Sequence, residues 1–404
     1  MRAEGSLESW SITETARPEV REWRRGAFRL SFGYQRADLE VRGPPVYPSL
    51  AAGPHGLAEE TLYTASGMSA ITALVIALLE VHPAITVLGI DAGYGETREL
   101  LQRFRDRIRI APPDAGRGPQ IASAGVRIAW LDSAVPAGFD AAIRTARGQF
   151  VLAVVDTTCF WRDSSRVRKV LRWARERDVP LAIVRSHAKL DCLGIEYGRM
   201  GSLVISWGRR ASHAWMRELV KEARNAVRLT GCAAVPAHFP PFTADDDYLP
   251  CSAGRTASII RATRRLARRL DASTLRRSVA RFQHALYITL APRGDLRIRD
   301  VKRAAEGLCR ALVSAGLPVR HAGSFGFDFV AIEWFLDPAT RRNVIRIAPG
   351  DLPPPIVDAV ADGVVRWFEG QRAGMSAKPR TPAAPRLRKT DAAPVTTATG
   401  RPSR

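Results

Sequence analysis

The chain has 404 residues, 46% of them hydrophobic, and a formal net charge of +21. That length accommodates two domains around a substantial core, and no apolar run approaches the ~18 to 20 residues a membrane crossing needs. Glu4 and Glu8 break the N-terminus without an apolar signal core, and Cys159, Cys192, Cys232, Cys251 and Cys309 show no CxxC pairing and no regular framework, so nothing suggests export and a reducing cytoplasm with free thiols is expected.

In chain order, residues 1–60 read as an arm, polar, with Arg24, Arg25 and Arg29 leading to Phe32-Gly33-Tyr34-Gln35-Arg36. Gly43-Pro44-Pro45 then interrupts any regular element. A large domain is expected over 61–254. Short apolar runs predict strands at Ile85–Ile90, Val126–Leu131, Phe150–Val155, Pro180–Val184 and Ser202–Trp207. Between them, helical patterns lie at Gly67–Val81, Glu96–Phe104, Asp140–Arg147 and Ser165–Arg177. This alternation predicts an α/β fold, a mostly parallel sheet with helices on both faces.

After a helix, a Pro-rich loop is expected over Ala237–Pro250. A basic amphipathic helix follows over Arg255–Arg281, with Ile259, Leu266, Leu270 and Val279 near helical spacing and a solvated arginine face. It opens a smaller α+β domain over 255–372, with strands near Ala285–Leu290 and Val330–Phe335 and helices at 299–315 and 355–369. Residues 373–404 hold seven Lys or Arg against one acid, Asp391, among Pro, Ala and Thr; such a basic tail cannot bury a core. No internal repeat, aromatic-rich binding signature or helix-turn-helix pattern stands out. The charge is therefore read as a surface that favours arginine together with a basic tail, with unspecific anion attraction ahead of specific nucleic-acid binding among the functional readings.

Several segments place chemistry at expected strand ends. Ser66-Gly67-Met68-Ser69 opens a strong helix, whose unpaired N–H groups make a natural phosphate seat; many helices begin this way with the cap empty. Tyr94, in Asp91-Ala92-Gly93-Tyr94-Gly95, follows a strand, where ligands bind in open α/β sheets, and could lie against a planar heterocycle or simply pack. Asp156 ends an apolar run, and there it could hold a pyridine nitrogen protonated or cap a turn. Lys189 stands in Arg185-Ser186-His187-Ala188-Lys189, directly after Leu181–Val184. An amine held out of water, its pKa lowered, forms Schiff bases with aldehydes. Arg199 follows, near enough to pair with a phosphate. Arg346 interrupts the apolar strand Val344–Ala348 and demands a carboxylate partner, for which a substrate's α-carboxylate would serve. No metal-ligand spacing accompanies these residues.

With these pieces assembled, the chain resembles the fold-type-I pyridoxal-phosphate enzymes over roughly residues 30–370. It looks most like their Cys/Met-metabolism branch, the cystathionine synthases and lyases. Ser66-Gly67-Met68-Ser69-Ala70-Ile71 is similar to the branch's phosphate-binding SGM-A-I turn, and Tyr94-Gly95-Glu96-Thr97 to its YGGT, whose tyrosine stacks on the cofactor. Ser186-His187-Ala188-Lys189 is similar to S-A-T-K, with the serine on the phosphate and the Schiff-base lysine last. Tyr34-Gln35-Arg36 is similar to the Y-S-R that reaches a neighbouring subunit's phosphate, implying a homodimer or homotetramer. Arg346 sits where the branch's carboxylate-binding arginine lies. The family has two further strand ends, E-T-P-x-N-P and V-D-N-T-F, and this chain offers one segment with a strand-end acid, Val155-Asp156-Thr157-Thr158, which fits either. The spacing of Asp156, Ser186-x-x-Lys189 and Arg199 is similar to the aspartate-aminotransferase branch and favours Asp156 as the pyridine partner.

The resemblance implies pyridoxal 5'-phosphate held as a Schiff base on Lys189. An amino acid would displace it, and the freed Lys189 would move the Cα proton. Elimination or replacement at the β or γ carbon, as in transsulfuration, is the expected outcome. Aminotransfer uses the same early steps, and a non-catalytic binding protein on a degenerate scaffold is the third reading.

Overall fold

The computed structural model describes residues 21–25, 28–32, 39–42, 58–89, 93–111, 125–134, 150–161, 164–195, 199–208, 214–234, 238–240, 242, 245–281, 284–291, 296–337 and 340–376. Tyr34, Arg36, the helix expected over Asp140–Arg147 and the basic tail beyond Ser376 lie outside them. The expected arm contains three strands, β1 (Arg21–Arg25), β2 (Phe28–Phe32) and β3 (Leu39–Arg42), paired antiparallel in that order. Arginine and glutamate interleaved among their apolar residues hide the signal.

The large sheet is built from β4 (Ala58–Thr64), β5 (Ile85–Leu88), β6 (Ile108–Ala111), β7 (Val126–Asp132), β8 (Leu152–Asp156), β9 (Leu181–Ser186) and β10 (Gly201–Trp207). Its seven strands run in the order β4-β10-β9-β8-β7-β5-β6. Only β10 is reversed, antiparallel to both β9 and β4; the other pairs are parallel. The helices are α1 (Gly67–Val81), α2 (Gly95–Arg103), α3 (Ser165–Arg177) and α4 (Trp215–Thr230).

The period-2 alternation of strand side chains decides what each face buries. Ile128, Trp130, Leu152, Val154, Ala182 and Val184 meet α1 and α4 through Leu74, Leu78, Met216 and Leu219. The intervening Ala129, Leu131, Ala153, Val155, Leu181 and Ile183 meet α3 through Val167, Val170 and Trp173. Leu74 and Leu78 are fully buried, and such burial stabilises by about 2 to 3 kcal/mol per side chain. α3 starts where Ser164 Oγ accepts from Val167 N at 3.2 Å and stops at Asp178 in the left-handed region, φ 51°. Two edge elements differ from expectation. β4 begins at Ala58, inside the expected arm, and β6 is an additional strand of only four residues, too short for periodicity to separate from a loop.

The basic helix, α5 (Tyr248–Asp271), begins earlier and ends earlier than its arginine pattern implies, and it runs across the domain boundary expected at 254. Pro250 is tolerated because it lies in the first turn, where its missing N–H has no helical acceptor. Ile259, Leu266 and Leu270 are buried as expected, whereas Val279 belongs to β11 (Val279–Arg281). The smaller sheet continues with β12 (Ile288–Leu290), β13 (Val319–His321), β14 (Val330–Leu336) and β15 (Asn343–Ala348), in the order β11-β12-β15-β14-β13. Two helices, α6 (Ile298–Ser314) and α7 (Pro354–Ser376), cover one face through Leu308, Leu312, Val360 and Val364. The opposite face carries Tyr287, Phe325, Phe327 and Ala348, which pack against Cys159, Leu190 and Ile259 of the rest of the chain. Ile345 and Ile347 of β15 point to the helices. Arg346, one residue out of phase, therefore faces the large sheet.

Candidate active site

Because β4, β5, β7, β8 and β9 run in one direction, their carboxyl ends reach the same sheet edge, where open α/β sheets bind ligands. A cavity of about 190 Å³ opens there. β4 delivers Ser66, Gly67 and Met68; β5 leads to Tyr94; β7 and β8 end at Asp132 and Asp156; β9 ends at Ser186, with Lys189 on the turn beyond. The smaller domain closes the cavity with Gly323, Ser324, Phe325 and Arg346.

Ser66 is the N-cap of α1: its Oγ accepts from Ser69 N at 3.0 Å. The bare first turn lies tightly on β9, because a Cβ on Gly67 would stand 2.8 Å from Ser186 Cβ. The helix N-terminus and the Ser186 hydroxyl thus border one space, suited to an anion.

Lys189 is half-buried, and its Nζ donates to Ser324 Oγ from the smaller domain. The same Nζ lies 6.0 Å from the Phe325 ring centroid. The turn carrying the lysine is pinned from both sides. Gly326, at φ 90°, approaches so closely that a Cβ there would fall 2.4 Å from the Lys189 carbonyl oxygen; the positive φ and the missing side chain both require glycine.

Beneath the lysine lies a buried ionic network. Arg185 Nε and Nη2 donate to Asp191 at 2.6 and 2.8 Å, and Nη1 donates to the carbonyls of Thr157 and Phe160. His187 Nδ1 meets the same carboxylate at 2.7 Å, and Nε2 meets Ser202 Oγ at 2.8 Å. An ionised carboxylate can only accept, so Nδ1 carries the proton and Nε2 accepts from the serine hydroxyl. Burial opposes the charge on Asp191, but Arg185 and then His187 hold its carboxyl well below the usual range. Burial pushes His187 down despite Asp191, so the imidazole is neutral.

The two strand-end acids are cross-strand partners in the β7–β8 register. Asp132 accepts from Tyr94 N at 2.6 Å and Ala134 N at 2.7 Å. Asp156 accepts from Thr158 N at 2.7 Å and from Ser133 Oγ at 3.4 Å. Burial, then the neighbouring charge of Asp156, raises Asp132 to about 7; burial likewise raises Asp156. Asp132 corrects the sequence reading, which found a single strand-end acid. β7 runs one residue past its apolar stretch and ends on a carboxylate. Both strand ends are therefore occupied, and Asp156 is the acid on the strand beside the lysine.

Tyr94 leads into α2 and is 41% exposed overall, although burial of its hydroxyl end and then Glu96 push the phenol up. Arg346 is buried and donates through Nη2 to Glu333 Oε2 at 3.0 Å. Its guanidinium lies 4.7 Å from the Phe335 ring and 5.4 Å from that of Tyr287. The carboxylate it requires is thus supplied in part by its own chain. Arg199 is exposed and does not border the cavity. Sequence reasoning also missed Ser324, which lies 135 residues from Lys189 and has no local signal.

No family profile matches the chain, and no curated protein matches it. Among solved structures, MetB from Corynebacterium glutamicum superimposes with a TM-score of 0.53 at 18% identity, covering 77% of this chain and 81% of that one. A cystathionine gamma-lyase from Micromonospora echinospora follows at 0.49 and 18%, covering 77% and 82%. A putative O-acetylhomoserine (thiol)-lyase from Campylobacter jejuni, solved with N'-pyridoxyl-lysine-5'-monophosphate, stands at 0.49 and 12%, covering 76% and 82%. At such identity the likeness shows the fold alone: the backbone of this chain is similar to that of the MetB structure, an α/β arrangement with a mostly parallel central sheet.

Proposed function

We propose that the protein is a pyridoxal-phosphate-dependent enzyme acting on an amino acid, of the type that eliminates or replaces a group at the β or γ carbon. One observation carries this reading: an amine, an anion seat and a buried acid pair converge on one cavity at the carboxyl edge of the sheet. The donor set fits the cofactor. The Ser66–Met68 turn and Ser186 would hold the phosphate, and the space left by Gly67's missing side chain keeps the first turn of α1 against β9. Asp156 would face the ring nitrogen, and Tyr94 would line the ring. Bound there, the cofactor supplies an aldehyde for the amine and an electron-withdrawing ring for the substrate's Cα.

The chain's own residues do the rest. Lys189, held by Ser324, would provide the amine and a base for the Cα proton. Arg346 presents its guanidinium to the substrate carboxylate while Glu333 and two aromatic rings hold it in place. The phenol of Tyr94, pushed up, stays protonated. Tyr34 and Arg36 of a second copy are proposed to complete the phosphate seat in an oligomer. Five free cysteines accord with a reducing cytoplasm.

Incubation with pyridoxal phosphate, borohydride reduction and peptide mass mapping test the reading. A pyridoxyl group on Lys189, absent in Lys189→Ala, is the expected result. A folded wild type that takes no label at Lys189 overturns it. Product analysis then separates the classes: a keto acid with ammonia marks elimination, and an aminated acceptor marks transfer.

A further inference from the structure

The turn from Ser186 to Asp191 joins two parts of the cavity that have to keep their separation: the anion seat at Ser66, Gly67 and Ser186, and the amine of Lys189. The seat is fixed to β9 and β10 by close contact. A Cβ on Gly67 would stand 2.8 Å from Ser186 Cβ, and one on Gly201 would stand 2.3 Å from the Ser66 carbonyl carbon. The β9–β10 ladder reaches the Ser186–Gly201 pair and adds a bond from His187 N to Met200 O at 2.9 Å. Beyond it the chain leaves the sheet. There the hydroxyls of Tyr248 and Ser252 in α5 hold the carbonyls of Asp191 and Leu190, at 2.9 and 3.4 Å.

One side chain spans the two halves. His187 Nδ1 donates to the Asp191 carboxylate just past the lysine, and Nε2 accepts from Ser202 Oγ on β10. Asp191 is held in turn by Arg185, the residue before Ser186. Hydroxyl, imidazole and carboxylate in this order have the connectivity of a nucleophilic triad. Ser202, His187 and Asp191 are, however, 0%, 2% and 3% exposed and do not border the cavity, so the hydroxyl is closed to a substrate. What the bonds fix is geometry. They close the turn on itself through Arg185 and Asp191, and they moor it through Ser202 to the strand whose Gly201 lies against the anion seat.

We propose that His187 is a positioning residue that fixes the separation of the anion seat and Lys189, so that an aldehyde anchored by its phosphate is presented to the amine. The inference rests on the pyridoxal-phosphate reading. An anchored reactant gains rate only while anchor and partner stay in register, and a misplacement of about 1 Å can cost about a hundredfold. Pyridoxal lacks the phosphate and makes no use of the seat. The ratio of the rates at which the two aldehydes join Lys189, each with loss of water, therefore reads the coupling. A change in the amine alone alters both rates and leaves the ratio where it was.

Borohydride-trapped labelling of Lys189, timed and read by peptide mass mapping at matched, subsaturating concentrations of pyridoxal 5'-phosphate and pyridoxal, tests the proposal. The wild type should prefer the phosphorylated aldehyde. In His187→Ala that preference should fall by about tenfold or more, while the rate with pyridoxal changes little. Ser202→Ala removes one small hydroxyl at the far end of the same bond; it should lower the preference too, and it decides the matter should His187→Ala fail to fold. A preference unchanged in the deciding variant overturns the proposal. So does an equal loss with both aldehydes, which marks a merely structural role, and so does a wild type that labels Lys189 equally with either. A wild type that takes neither label removes the pyridoxal-phosphate reading and the inference with it, whereas an unchanged preference in the variant removes the inference alone.

Discussion

Replacing Asp191 with alanine exposes what the buried network under Lys189 contributes. Arg185 is 1% exposed and makes four hydrogen bonds, two of them to the Asp191 carboxylate. The substitution leaves a guanidinium out of water with only two backbone carbonyls, and it strips His187 Nδ1 of its acceptor. Breaking one partner out of a buried ion pair costs about 3 to 5 kcal/mol, and an orphaned buried donor adds about 1 to 3. These figures overlap, so a loss of at least about 3 kcal/mol is expected. Urea unfolding followed by far-UV circular dichroism measures it, with Arg185→Met and the double variant Arg185→Met/Asp191→Ala closing a cycle. The double variant should be far less destabilised than Asp191→Ala, because no charge is stranded. An Asp191→Ala protein that loses less than about 1 kcal/mol, or a double variant worse than the single, would falsify the view that the network is held by charge pairing.

Three further outcomes follow from the same geometry. Gly67→Ala should weaken binding of pyridoxal phosphate by tenfold or more in fluorescence titration while the protein stays folded, since the added Cβ meets Ser186 Cβ at 2.8 Å and a mismatch of about 1.4 kcal/mol is a factor of ten. Asp132 is raised from 3.8 to about 7 in the folded chain; the native state then binds its proton more tightly than the unfolded chain, so this group's contribution falls as pH rises from about 4 to 7. Melting temperatures of Asp132→Asn should therefore depend less on pH across that window, and its gain over wild type should be larger at pH 8 than at pH 4. Arg346→Ala should raise KM for the amino-acid substrate more than it lowers kcat, and a reversed pattern would place the guanidinium's role in the reaction step.

The apolar runs of β5, β7, β8, β9 and β10 are continuous enough to be read directly, because a mostly parallel sheet covered on both faces buries most positions of its strands. The helix start at Ser66 and Gly67 was equally legible, since it acts through local capping geometry. Lys189 was legible because a long amine after a buried strand is chemically conspicuous. Asp132 was not: strand ends are set by tertiary pairing, and the register with Asp156 comes from β8, a segment 20 residues away at its start. Sequence alone determined which side chains are apolar, which turns need glycine and where an amine follows a strand, since those are properties of neighbouring residues. Only the folded chain decided that Ser324 meets Lys189, that Glu333 answers Arg346 and that two acids stand side by side, because each contact joins elements whose approach depends on how the two sheets pack.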